Sequence, residues 1–260
     1  MRQLKPIEPL PPIRRDMDIA ANRLPSSQAL ENRTIELQYE DGAILTMAFD
    51  AEKVRWTSST RHAAPSSGEG PYDAVDVRPG LFFVDYVHIG RRMAWSHVVD
   101  TRRGRALSVA SEIVEAAKHD LLEQLMPARL AGRLGAYEPI ETTRELLGKR
   151  LVCEYSREAA LEHIYVNSAT IVWQWLLSPP ELALEVGVEA VSMWKIAEQL
   201  YLICTRGSEP IQLTLLLDLQ KMRNVGRLFG WGSFGLVDRR CGAKITFLGE
   251  FAYPGGYSPG

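Results

Sequence analysis

The sequence has few cysteines and no long apolar run, and each absence excludes classes of protein. Only three cysteines occur in 260 residues, namely Cys153, Cys204 and Cys241. They lie far apart without a Cys-x-x-Cys pair, so we expect neither a disulfide framework nor a cysteine-based zinc site. No stretch approaches the roughly 18 apolar residues of a transmembrane helix, and the charged, proline-rich first residues contain no signal-peptide core. We therefore expect a cytoplasmic protein with no membrane partner.

An excess of one charge is missing too. Thirty Lys and Arg residues face 32 Asp and Glu residues, for a net charge of −2. This balance gives no basic surface for nucleic acid. The sequence also lacks a Gly-x-x-x-x-Gly-Lys-Ser/Thr phosphate loop, a Ser/His/Asp spacing and a cluster of metal ligands. We expect no cofactor, no metal and no nucleic-acid partner.

The chain does contain many strand-like stretches. Thr34–Tyr39 and Ile44–Phe49 alternate apolar and polar residues around an Asp-Gly turn, a pattern that predicts a hairpin. The stretch Ser58–Pro71, rich in Thr, Pro, Ser and Gly, is expected to be a loop. Further strands of the first half are predicted at residues 53–57, 72–77, 81–88, 93–100 and 106–109.

One segment has a different period. Apolar residues recur at three- and four-residue spacing between Ser111 and Leu125, and Pro127 follows. This spacing predicts an amphipathic helix that links two domains or caps a barrel.

The two halves of the chain repeat each other with a period of about 117 residues. Tyr39 corresponds to Tyr155, and Asp100 corresponds to Asp218. Each copy carries seven or eight strands in up-and-down order, which favours a closed barrel because closure removes the sheet edges. We predict an all-β fold of two tandem lipocalin-like or calycin-like antiparallel β-barrels with one linking or capping helix; a single larger sandwich is the alternative. The predicted divisions are an extended tail (1–28), a first barrel (29–110), a helix and linker (111–145), a second barrel (146–251) and a flexible tail (252–260).

Several runs resemble one known family. They are Leu147-Gly148-Lys149-Arg150, Glu162-His163-Ile164-Tyr165-Val166-Asn167 and Asp76-Val77-Arg78-Pro79-Gly80. These runs are similar to the family of molybdenum cofactor biosynthesis protein F (MoaF), over roughly residues 30–249. The resemblance implies tandem calycin-type barrels. No residue is placed for nucleotide phosphates or sulfur transfer, so a biosynthetic role would rest on the family name alone.

A weaker similarity is to phenolic acid decarboxylases, which are single calycin barrels. It rests on the strands that end at Tyr39 and Tyr155. Those enzymes use a paired tyrosine, an arginine and a glutamate. Leu37 or Cys153 stands where the second tyrosine would be, and Gln174 stands near the expected arginine. The catalytic set therefore does not carry over.

Candidate site residues concentrate in the second copy. Strand alternation places His163 and Tyr165 on one face, where they could act as acid and base. The alternative is that the aromatic residues fill the core and the charged ones lie on the surface. The other candidates for ligand binding in this copy are Tyr155, Trp173, Trp194, Lys195 and Arg206.

The first copy offers a second candidate pocket. Trp95 and His97 share one strand face, and His97 corresponds to Leu215 in the second copy. A role for His97 would therefore not be shared by both barrels.

Three hypotheses follow from these residues. The first is a protein that binds a small aromatic or heterocyclic molecule inside a barrel. The second is a cofactor-independent lyase or isomerase of decarboxylase type that uses His163 and Tyr165. The third is a dimerisation module, which predicts that both interiors are filled. A homodimer is compatible with each of them.

Overall fold

The computed structural model describes residues 17–59, 66–88, 90, 92–114, 120–132, 137–180, 185–207, 209–232, 235–254 and 259. These residues form strands, turns and connections, and no α-helix is found among them. In particular, this part of the chain contains no helix able to cross a bilayer.

The first eight strands form one closed antiparallel barrel. Each strand pairs with its neighbour in sequence, and the last pairs back with the first. Their bounds are β1 (Thr34–Tyr39), β2 (Ile44–Phe49), β3 (Lys53–Ser59), β4 (Ser66–Arg78), β5 (Leu81–His88), β6 (Met93–Asp100), β7 (Arg105–Val114) and β8 (Asp120–Leu130).

The remaining strands form a second closed barrel. Their bounds are β9 (Glu141–Thr142), β10 (Lys149–Glu154), β11 (Ala160–Asn167), β12 (Thr170–Leu177), β13 (Val186–Ala197), β14 (Leu200–Arg206), β15 (Ile211–Asp218), β16 (Arg223–Gly232), β17 (Gly235–Cys241) and β18 (Lys244–Glu250). β12 pairs with β13, β17 pairs with β16, and β18 pairs with β10, so β17 and β18 together serve as the closing strand. β9 adds a short pairing to β13. The predicted fold of two tandem antiparallel barrels is confirmed.

The strand registers of the two barrels agree at corresponding positions of several strand pairs. Trp56 pairs with Gly68 in the first barrel, and Trp173 pairs with Gly187 in the second. The repeat seen in the sequence is therefore also a repeat of strand order and register, which allows the two interiors to be compared position by position.

The helix predicted over residues 111–125 is wrong. This segment contributes to β7 and β8, which pair Ile113 with Leu121. Leu121 is buried whereas Leu122 is 51% exposed, because neighbouring strand residues point to opposite faces. The helix-like spacing arises because two strands are read as one segment across residues 115–119, which lie outside the described residues. The strands of the first barrel consequently run to Leu130 instead of ending at residue 110.

The predicted loop Ser58–Pro71 is largely strand as well. β3 continues to Ser59 and β4 begins at Ser66, while residues 60–65 of the predicted loop lie outside the described residues. A Cβ atom at Gly68 would stand 2.6 Å from Cζ2 of Trp56. The glycine that suggested a loop instead gives the indole ring room to lie against the opposite strand.

The two barrels pack on each other through the outer faces of β4–β7 and β13–β16. Residues at corresponding positions of the two barrels form the apolar contact. Phe83 corresponds to Leu202, Val98 corresponds to Leu216, and all four belong to one buried cluster. Polar contacts cross it: the Arg78 Nε atom donates to Asp218 Oδ2 at 2.8 Å, and Arg227 pairs with Asp85. The arrangement is that of two like domains joined face to face.

The N-terminal segment, residues 17–33, bridges the barrels. The backbone N–H of Gly242 donates to the Ile19 carbonyl at 3.0 Å, and that of Ser27 donates to the Ala74 carbonyl at 2.7 Å. Met17 is 4% exposed and lies with Ile19 in the second barrel's core cluster. Part of the predicted surface tail is thus buried; residues 1–16 lie outside the described residues.

Candidate functional site

A cavity of about 260 Å³ lies inside the second barrel. Glu185, between β12 and β13, and Gly207 and Glu209, between β14 and β15, line one end of it. Met17 and Ile19 of the N-terminal segment line it. The other residues that line it are Tyr155, Leu161, His163, Ile171, Trp173, Trp175, Glu185, Glu189, Thr205, Gly207, Glu209, Ile211, Leu213, Leu228 and Cys241.

Two tryptophans of β12 form an aromatic wall. Trp173 and Trp175 alternate on the strand, so both face inward, with ring centroids 6.4 Å apart and planes inclined at 73°. A Cβ atom at Gly187 would stand 2.3 Å from Cε2 of Trp173, so the opposite glycine is needed for the ring's position. The pair forms an angled surface suited to a flat ring.

A histidine and a tyrosine supply polar groups to the wall. His163 is 2% exposed, and burial lowers its pKa to about 4, so the imidazole is neutral at pH 7. Its Nδ1 atom lies 4.0 Å from Cys153 Sγ. The Tyr155 hydroxyl is buried and has no hydrogen-bond partner in the described part of the protein, and burial raises its pKa. Such an unsatisfied buried hydroxyl is available to a ligand.

Carboxylates gather at this end of the cavity, near the connections that follow β12 and β14. Glu189 accepts hydrogen bonds from the Trp173 indole at 2.9 Å and from the Thr205 hydroxyl at 2.5 Å. Burial raises the pKa of Glu185, which a hydrogen bond from Trp175 partly offsets. Glu209 also contributes to the lining. Glu185 and Glu189 thereby give one end of an otherwise apolar cavity an acidic character.

The structure gathers part of the predicted site around this cavity. His163, Tyr155 and Trp173 line it together. Tyr165 is fully buried behind the wall in the barrel core, its ring centroid 6.3 Å from that of His163. The predicted inward face of β11 is confirmed, but the phenol of Tyr165 does not reach the cavity surface.

Three predicted ligand-binding residues lie elsewhere. Trp194 projects from the outer face of β13 and packs against the contact between the barrels. Lys195 pairs with Glu145 on the surface, and Arg206 donates to the Leu121 carbonyl at 2.9 Å across the barrel contact. Neighbouring strand residues such as Trp194 and Lys195 cannot face the same interior, and here neither lines the cavity.

The predicted pocket of the first barrel is a packed stack of rings. His97 is fully buried between Trp95, at 5.5 Å between centroids, and Tyr86, at 5.6 Å. Its Nδ1 shares a hydrogen bond with Ser108 Oγ at 2.8 Å, and Ser108 also bonds Tyr39 at 2.8 Å. Burial lowers the pKa of His97 to about 3. The group is a neutral core histidine in a hydrogen-bonded chain.

The sequence reasoning missed the carboxylates and the small residues that open the cavity. Glu185, Glu189, Thr205 and Gly207 belong to the wall but were not candidates. A comparison of the two copies would have found Thr205, because it stands where the first copy has Tyr86. Within the described residues, no group of three His, Cys, Asp or Glu side chains is arranged to hold a metal ion.

The fold and the site define the class of this protein: a tandem closed β-barrel whose second barrel contains an internal cavity. Two family models match the chain. The MoaF N-terminal domain matches residues 17–115, and the MoaF C-terminal domain matches residues 140–251. The chain belongs to the MoaF family, as the runs around His163 and Arg78 indicated.

Individual relatives are more distant. The chain is 29% identical over 177 residues to Protein MoaF of Klebsiella aerogenes, covering 62% of this chain and 66% of that relative, which is just under two thirds of its length. A putative β-lactamase from Burkholderia vietnamiensis matches 41% of this chain and 100% of its own, with 13% identity and a TM-score of 0.36. A DUF3598-family protein of unknown function from Nostoc punctiforme matches 83% of this chain and 94% of its own, with 10% identity and a TM-score of 0.36.

Proposed function

We propose that this protein binds a small aromatic or heterocyclic molecule in the cavity of the second barrel. The observation that carries the proposal is the cavity of about 260 Å³ walled by Trp173 and Trp175. A dry engineered cavity of about 150 Å³ holds benzene, so this volume suits one ring with a short substituent. A purely structural module predicts two filled interiors, and the cavity argues against that alternative.

The composition of the wall supports binding of an amphipathic ligand. Most of the lining is apolar or aromatic, whereas Tyr155, His163 and Glu189 place a few polar groups at defined points. Natural ligand sites have this composition, in which apolar surface supplies affinity and few polar groups fix orientation. The unsatisfied Tyr155 hydroxyl would gain a partner on binding.

A thermal-shift panel of phenolic acids, aromatic amines and pterins tests the proposal. A ligand at 100 times its dissociation constant adds about 2.7 kcal/mol of stability. The ligand should not raise the melting temperature of Trp173→Leu. It should still raise that of the matched control Trp194→Leu, which lies outside the cavity, when each variant is compared with its own unliganded melting temperature. A shift that survives Trp173→Leu and disappears in Trp194→Leu would place binding elsewhere.

A lyase or isomerase activity on the bound molecule is the second candidate, because one observation favours it. His163 is a neutral imidazole on the cavity wall, the form required of a general base. Conversion of a bound compound that His163→Gln abolishes, with affinity kept within about threefold, would support catalysis. Binding without turnover of any panel compound would leave the binding function alone.

We further propose that the protein works in the cytoplasm. Its three cysteines are free and buried, and burial raises the pKa of Cys153 and of Cys241 to about 12. Free thiols of this kind suit a reducing compartment. Fractionation of cells that express the full chain would test this directly.

A further inference from the structure

Two carboxyl groups at one end of the cavity, those of Glu185 and Glu189, have no positively charged partner among the described residues. Within the described ranges, Glu185 and Glu189 have no Lys or Arg partner, in contrast to Glu162 on the outer face, which pairs with Arg150. Glu189 is held by two neutral donors, and the Oε1 atom of Glu185 is buried without a hydrogen-bond partner. Both carboxyl groups are partly buried, and a cationic ligand would supply the counter-charge that the described residues do not.

The tryptophans favour the same kind of ligand. Trp173 donates its indole N–H to Glu189, which orients the ring and the carboxylate relative to each other. The ring faces that remain open to the cavity carry negative electrostatic potential and attract cations. An aromatic wall next to carboxylates is therefore complementary to an organic cation and repels an organic anion.

The neutral groups of the cavity agree with this reading. His163 carries no charge at pH 7, so among the described residues that line the cavity none offers a positive partner to an acidic ligand. The buried Tyr155 hydroxyl, which lacks a partner in the described structure, can pair with a polar substituent on the ring. An alkylamine resembles the lysine side chain, whose pKa of about 10.4 keeps it charged at pH 7.

We propose that the ligand of the second barrel is an aromatic amine with one ring, bound with its ring against Trp173 and Trp175 and its ammonium at Glu185 and Glu189. This proposal rests on the proposed binding function and names its ligand class. It excludes phenolic acids and other aryl carboxylates as the main ligands.

Three compounds of nearly equal shape test the proposal with the full chain. Phenethylamine, phenethyl alcohol and hydrocinnamate share the ring and chain but carry a positive, a neutral and a negative end. In calorimetric titrations at pH 7, we expect the amine to bind about tenfold or more tightly than the alcohol and the carboxylate to bind most weakly.

Substitutions then locate the charge. Glu189→Gln keeps the hydrogen-bond acceptor for Trp173 but removes the charge, so it should weaken amine binding about tenfold or more and leave the alcohol's affinity within about twofold. Glu185→Gln should act in the same direction. The matched control is Glu198→Gln, because Glu198 is 81% exposed and does not line the cavity.

Other binding results would overturn the amine proposal alone or both proposals. Equal binding of amine and alcohol, or tighter binding of the carboxylate, overturns the amine proposal while the binding function stands. If a compound of the thermal-shift panel binds but phenethylamine, phenethyl alcohol and hydrocinnamate do not, the amine proposal is overturned and the binding function stands. No binding by any compound in titration or thermal shift overturns both proposals.

Discussion

The two barrels share one backbone plan but differ in what fills them. At four positions of β5 and β6 that match β14 and β15 by strand register, the first barrel has the larger side chain. The ring stack of Tyr86, Trp95 and His97 is thereby removed from the second barrel. The corresponding pairs, first barrel before second, are Tyr86 and Thr205, His88 and Gly207, Trp95 and Leu213, His97 and Leu215. The cavity is thus a property of a few side chains and not of the fold.

The second barrel also gains groups that the first lacks. His163 stands where the first barrel has Met47. Met47 pairs with Trp56 on the next strand, and His163 pairs with Trp173 in the same way. Glu189 follows Gly187 by two residues, where the first barrel has Gly70 after Gly68. Among the described residues, the first barrel therefore holds a stack of rings where the second has a cavity lined by polar groups.

The largest effect is expected from opening the first barrel. Tyr86→Thr combined with Trp95→Leu would give it the residues of the second barrel. Tyr86 belongs to the first core and Trp95 packs against it, so their loss should lower the free energy of unfolding by about 3–6 kcal/mol through lost burial and a new cavity. Urea unfolding measures this. A loss below about 1 kcal/mol would mean that the first interior is not tightly packed.

Next in size is the ion pair between Arg227 and Asp85, which crosses the barrel contact and is not repeated at the corresponding positions of the two barrels. Arg227→Met should cost about 3–5 kcal/mol, because it leaves Asp85, fully buried, without its closest positive partner. The positions that correspond to this pair hold Cys204 and Val109. The double variant Asp85→Cys, Arg227→Val should therefore recover most of the loss in the same unfolding assay; a double variant less stable than the single one would contradict this account.

A smaller effect concerns pH and distinguishes the buried histidines. The pKa of His97 falls from 6.5 to about 3 on folding, so between these values the unfolded chain binds more protons and stability decreases as the pH is lowered. His97→Leu, the residue of the second barrel, should reduce the stability difference between pH 7 and pH 4.5 by about 1–3 kcal/mol. His163, whose pKa is about 4, should contribute in the same direction. Identical pH profiles of wild type and His97→Leu would refute a neutral buried His97.

The last prediction concerns the stability of variants at two corresponding glycines. Gly68→Ala and Gly187→Ala each push a methyl group against a tryptophan, and each should cost about 1–3 kcal/mol. Only Gly187→Ala should also weaken ligand binding, because only Trp173 borders the cavity. Equal effects of both variants on ligand affinity would show that binding does not depend on this wall.

Much of the fold could be predicted from the sequence because strand alternation is a local pattern and the repeat is visible when the two halves are compared. They placed His163 and Trp173 on inward faces correctly. They failed at residues 111–125, where two strands joined by a short connection produce helix-like spacing. They also assigned Gly68 to a loop, since the need for glycine arises from Trp56 on another strand.

The candidate site was only partly predictable for a related reason. Glu189 becomes a site residue through its contacts with Trp173 on β12 and Thr205 on β14, which depend on register and not on neighbouring letters. Trp194 and Arg206 have the residue types of a binding site, but their side chains serve the contact between the barrels. A position-by-position comparison of the two copies is the sequence signal that best indicates which residues line the cavity.

The most direct test of the central claim fills the second barrel with the residues of the first. Thr205→Tyr combined with Leu213→Trp should restore the packed interior, and binding of the compound that gives the largest thermal shift should weaken about a hundredfold or more. The melting temperature without ligand should remain near that of wild type or rise. A folded variant that binds with unchanged affinity in calorimetric titration would contradict the claim that this cavity is the binding site.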